Sequence, residues 1–251
     1  MNNLALTMLI RKYEIEYLRF MGIECLPTYS IVSKEISLNT ADAQGYGSPA
    51  STQYNRKTGE HTLEIWPEGL RLDGAPLVFH EFTHMLDAEK YSYKDDAKYV
   101  ANKGFTEYHA SQIDLFKRLG ANNVNDTISF SMNTTIEYLG KRITVGEFLY
   151  AACSTACEII NRNDFPKDVE TLSTALGTIF NYLGRRSICV MYATDYKDII
   201  DDSRMSGLIG NAPFSLLKGL MSRWLDDKTV ATVDGLFFRI VSTLLHQFQL
   251  I

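Results

Sequence analysis

Two histidines four residues apart, His80 and His84, are the side chains of this chain best spaced to do chemistry. On an α-helix, positions i and i+4 share a face, so both imidazoles can reach one metal ion. Glu81 stands one step further round, close enough to take the proton of a water held by that ion. With five histidines in 251 residues, the whole pattern, glutamate included, arises by accident in roughly one chain in a hundred. The neighbours speak for a purpose. Leu77, Val78, Phe82, Met85 and Leu86 give the helix an apolar side that would hold the histidines at a cleft.

His80-Glu-Phe-Thr-His84 is the HExxH arrangement, and on these five residues the chain resembles the zincins, the large group of zinc-dependent peptidases. That resemblance implies Zn2+ as cofactor and a peptide or protein as substrate. Glu81 would then be the general base, with a small twisted sheet ahead of the metal-binding helix. Catalytic zinc usually takes three protein ligands and keeps one position open for water, so a third ligand is needed. Asp87, Glu89, Glu107 and His109 follow the motif. Asp87 lies on the histidine face, but three ligands from one straight helix fall along a line. It reads better as a hydrogen-bond acceptor for a ligand imidazole, or as a packing residue.

Glu107-Tyr-His-Ala110 is similar to the Glu-x-x-Ala segment of the gluzincin branch of the zincins. His80 to Asp87 also resembles the HExxHxxD form of lethal-factor-like gluzincins. The resemblance covers about residues 60–115 and implies Glu107 as the third ligand. His109 is the alternative: on a helix it stands about 200° from Glu107, so one of the two can face the metal. Ala110 and Asp114 share the Glu107 face, and a small residue there would let two helices approach. For the group that stabilises the oxyanion, Tyr99 and Tyr108 are nearest in sequence, with Tyr99 preferred.

The elements around these residues follow from periodicity. Leu6, Ile10, Tyr13, Tyr17 and Phe20 predict an amphipathic helix over 4–21. Extended segments follow at 29–38, 50–54 and 61–66. A Gly-rich connection through Gly45, Gly47 and Pro49 joins the first two, and a polar turn at 55–60 makes a hairpin of the last two. The strand from His61 to Trp66 is the candidate for a sheet edge lining the cleft, with His61 itself a solvated strand residue. A turn at 70–75 leads to Pro76, near the first position of a helix expected to run to Glu89. A charged, tyrosine-rich connection separates it from a helix starting near Phe105. Further on, 135–144 reads as a hairpin about Gly140, and helical spacing recurs at 146–162, 168–183, 213–225 and 229–249. The fold class expected is α+β. A small, twisted, mainly antiparallel sheet and the HExxH helix form a catalytic lobe over 1–122, and a mostly helical lobe follows over 123–251.

Composition narrows the partners. A net charge of −5 and no basic run interleaved with aromatics argue against nucleic acid. No stretch reaches the roughly 18 apolar residues of a membrane span. Arg11, Lys12, Glu14 and Glu16 interrupt the N-terminal apolar run, so no signal peptide is read. Cys153 and Cys157, with no second pair nearby, read as reduced core thiols. A cytoplasmic protein is the expectation. The competing functional reading is a regulatory or binding protein of prophage or mobile-element type, keeping a zincin-like site without turnover and using its helical lobe for partner recognition.

Overall fold

The N-terminal apolar spacing folds as a helix, α1 (Asn3–Met21), which buries Leu6, Ile10, Tyr17 and Phe20. It belongs to a computed structural model that describes residues 3–35 and 49–250 and is α+β. The expected connection through Gly45 and Gly47, and the end of the strand predicted over 29–38, lie outside the described residues.

Three strands follow α1: β1 (Tyr29–Ser33), β2 (Ala50–Asn55) and β3 (Glu60–Ile65), in the order β1-β3-β2. β3 runs antiparallel to β2, with Thr52 opposite Leu63, and parallel to β1, with Tyr29 opposite His61. Two sequence expectations are corrected here. This sheet is mixed, one ladder of each kind, and β3 is its middle strand rather than an edge. Local alternation finds a strand but not its neighbours, and the β1–β3 pairing joins residues 32 apart in the chain, Tyr29 with His61 for one (61 − 29). Leu63 and Ile65 are fully buried on one face of β3, while Ser30 and Gln53 hydrogen-bond Thr62 and Glu64 on the other.

Where a turn was expected, a short helix forms, α2 (Pro67–Asp73), with Pro67 in its first turn and Leu70 buried. Seven residues, about two turns, are too short to show a period. Gly74, at φ +68°, ends α2 and precedes the first residue of α3 (Ala75–Ser92). That left-handed backbone suits glycine, and Pro76 in the first turn of α3 lacks an N–H the helix would leave unused. The apolar side of α3 meets α1 and β1 through a cluster of rings. Tyr17 stands edge-on to Phe79 at 5.0 Å, Phe20 at 5.4 Å from the same ring, and Tyr29 at 5.6 Å from Phe82.

The helix expected from Phe105 starts nine residues earlier. α4 (Asp96–Arg118) takes in the charged stretch read as a connection, with Asp96 in its first turn where the helix dipole favours an acid. Beyond it stand a hairpin of β4 (Thr135–Tyr138) and β5 (Lys141–Thr144), then α5 (Val145–Ile160), α6 (Val169–Tyr192), α7 (Ser203–Ile209), α8 (Asn211–Leu220) and α9 (Asp227–Gln247). Side chains cap three of these helices: a Thr144–Glu147 capping box on α5, Asp168 on α6 and Asp226 on α9. The helical C-terminal part is as expected, with α7 in addition.

The chain divides into two units by its contacts. The first comprises 1–96, 113–128 and 136–142, and the second 97–112, 129–135 and 143–251. In the first, Arg118 is bound on both sides by Asp73 and Asp114, all three side chains at most 4% exposed. In the second, Phe105, Phe180 and Phe237 form a mutual edge-to-face trio with centroids 5.2–6.0 Å apart. Gly184 of α6 lies so close to α4 that a β-carbon there would stand 2.2 Å from the Tyr108 carbonyl oxygen. No helix among the described residues is long and apolar enough to cross a membrane.

Candidate metal centre

α3 presents His80 and His84 on one side, both half-buried, their rings 4.8 Å apart at 76°. Its other side is core, so the helix cannot rotate the imidazoles away without exposing Phe79 and Phe82, both fully buried. Glu81 is on the border between the two sides and is 5% exposed. Its carboxylate is held from the sheet: Thr52 Oγ1 on β2 donates to Glu81 Oε2 at 2.9 Å and stands 3.2 Å from the Glu81 carbonyl oxygen. Lys34, after β1, is near enough to feel the Glu81 charge. Burial pulls its pKa down, and Glu64 and Glu81 oppose that pull.

Glu107 comes from the middle of α4. On α6, Gly177 faces it, and a β-carbon there would stand in ordinary contact with the Glu107 Cγ, Cδ and Oε1 at 3.7–3.8 Å. His80 and His84 belong to the first unit and Glu107 to the second, and all three residues are half-buried. His109, on the same helix as Glu107, is half-buried as well.

The remaining expectations fare unevenly. Tyr99 is half-buried near the start of α4, two turns before Glu107. Tyr108 is fully buried, its hydroxyl directed at the carbonyl oxygens of Met221 and Arg223 and receiving Gln112 Nε2 at 3.2 Å. Burial also raises its pKa, so it serves the core and not an oxyanion. Asp87 is 3% exposed and near enough to Tyr17 for its charge to add to the burial that raises that phenol's pKa. Cys153 is buried and burial pushes its thiol up to about 12, which makes it unreactive.

His61 is the clearest correction. Rather than solvated, it is 1% exposed and stacked on Tyr54 at 4.7 Å, and neither ring nitrogen has a hydrogen-bond partner. Its inward position, alternating with Thr62, matches that of Leu63 and Ile65: the period of the strand, and not the polarity of the side chain, sets which way the ring faces. Thr52 and Gly177 were not singled out by the sequence. A threonine inside a strand and a glycine inside a helix carry no local sign of what lies opposite them.

No protein-family model, curated protein or solved structure matches the chain.

Proposed function

We propose that this chain is a zinc-dependent peptidase in which His80, His84 and Glu107 hold the metal and Glu81 is the general base. The observation that carries the reading is the pairing of His80 and His84 on one side of α3, their rings 4.8 Å apart, with the Glu81 carboxylate held beside them by Thr52. The residues fit the ion. Three ligands at about 2.0–2.1 Å in a tetrahedral site stand roughly 3.4 Å apart. Two imidazoles and one carboxylate are the nitrogen and oxygen donors that hydrolytic zinc sites use.

Zinc held there would acidify a water and polarise the carbonyl of the scissile bond. The chain's own work is then proton transfer and orientation. Glu81 accepts the proton of the attacking water on its carboxylate and returns it to the leaving amine. The low exposure of Glu81 keeps bulk water from competing for that proton. Tyr99 is our candidate for the hydrogen bond to the developing oxyanion. β2 replaces β3 as the proposed substrate edge, because β2 is an end strand and carries the residue that touches Glu81. An extended peptide laid along it would pair through main-chain hydrogen bonds, with little dependence on side-chain identity.

Metal analysis with turnover tests this reading. The purified chain should bind one zinc per molecule and cleave members of a broad quenched-peptide library, and Glu81→Gln should keep the zinc and lose the cleavage. Far less than one zinc after zinc is supplied would remove the site. A wild type no more active than Glu81→Gln would remove the enzyme.

A further inference from the structure

Glu81 is adjoined by one residue that no part of the HExxH arrangement specifies. Thr52 sits on β2, opposite Leu63 of β3, on the face of the sheet that carries buried Ala50. Its hydroxyl hydrogen has two acceptors in reach, Glu81 Oε2 at 2.9 Å and the Glu81 carbonyl oxygen at 3.2 Å. Among the described residues, Thr52 is the hydrogen-bond partner of that carboxylate.

We infer that Thr52 is a positioning residue for Glu81: anchored in the sheet, it fixes one carboxylate oxygen so that the other is left facing the proton to be moved. A glutamate has three rotatable bonds between its backbone and its carboxylate, and a helix holds only the first end of them. The far end needs a second anchor. Threonine supplies a stiff one, because its β-branch restricts χ1 and the strand ladder holds its backbone. A hydrogen bond to a charged acceptor is also among the stronger kinds. Since a general base must meet its proton within about 3 Å, a carboxylate free to swing loses rate even when the metal is in place. Misplacement by about 1 Å costs on the order of a hundredfold. The same contact couples β2, the proposed substrate edge, to the base itself, so the strand that would align a peptide also sets the group acting on it. This inference rests on the peptidase reading.

Two variants test it. Thr52→Val keeps the shape and the strand preference and removes the hydroxyl, and Thr52→Ser restores the hydroxyl. We expect all three proteins to bind one zinc. In Thr52→Val, kcat should fall roughly 10- to 100-fold with KM unchanged, and Thr52→Ser should recover to within about threefold of wild type. Crystal structures of the zinc-free proteins give a readout independent of turnover. Glu81 should keep a single carboxylate orientation in wild type and Thr52→Ser, and take several in Thr52→Val. A Thr52→Val protein with wild-type kcat, or with Glu81 in its wild-type orientation, overturns the inference. If wild type and Glu81→Gln are equally inert, the peptidase reading falls, and the Glu81 orientation in Thr52→Val alone decides whether Thr52 anchors it.

Discussion

Acidification should cost this protein stability through His61, and one substitution should remove that cost. The ring is 1% exposed, stacked on Tyr54, and has no hydrogen-bond partner on either nitrogen. Burial lowers its pKa from about 6.5 to about 4. The nearest opposite charge is a Glu89 carboxylate oxygen, 3.9 Å from Nε2. Because the folded-state pKa lies below the unfolded one, the unfolded chain takes up the proton first as pH falls. Stability is therefore undiminished above about pH 6.5, declines between 6.5 and 4, and levels off below 4. At 1.36 kcal/mol per pH unit the full span has an upper bound of about 3 kcal/mol. Movement of Glu89 toward the imidazolium and relaxation of nearby water reduce this to roughly 1–2 kcal/mol. His61→Leu abolishes the titration and also removes two unsatisfied buried polar atoms, worth about 1 kcal/mol at neutral pH. The assay is urea unfolding of metal-free wild type and variant at pH 7.5, 6.5, 5.5 and 4.5. Taking the difference cancels the titration of every other group. The variant should be at least as stable at pH 7.5, and its advantage should widen by about 1–2 kcal/mol on going to pH 4.5. A difference that stays constant within about 0.5 kcal/mol across that range refutes the reasoning.

Three further outcomes follow from the geometry. Glu107→Ala should weaken zinc binding by about 100-fold or more, read by competition with a chromophoric chelator, while His109→Ala leaves it unchanged; the reverse result would move the ligand role to His109. Gly184→Ala drives a β-carbon to 2.2 Å from the Tyr108 carbonyl oxygen, so α4 and α6 must separate, and thermal unfolding should show a loss of about 2–3 kcal/mol. Arg118→Met strands Asp73 and Asp114 without their shared cation. Denaturant unfolding should then show a loss of about 3–5 kcal/mol, partly restored when Asp73 and Asp114 are also made apolar.

Local regularity made much of this protein legible in its sequence. The apolar spacing of α1, the hairpin residues of β2 and β3, the helical spacing of α5 and the apolar side of α3 each depend on neighbours within a few positions. The shared face of His80 and His84 is a property of any helix with that spacing, and Glu81 follows from it. Other features belong to the tertiary structure alone. The place of β3 in the middle of the sheet depends on its parallel pairing with β1. The grip of Thr52 on Glu81 depends on β2 meeting α3, and the packing of Glu107 against Gly177 depends on α6, seventy residues further along the chain. These are encounters between segments whose sequences are written independently. A helix period or a strand alternation says which face a residue takes, and only packing decides what that face will meet.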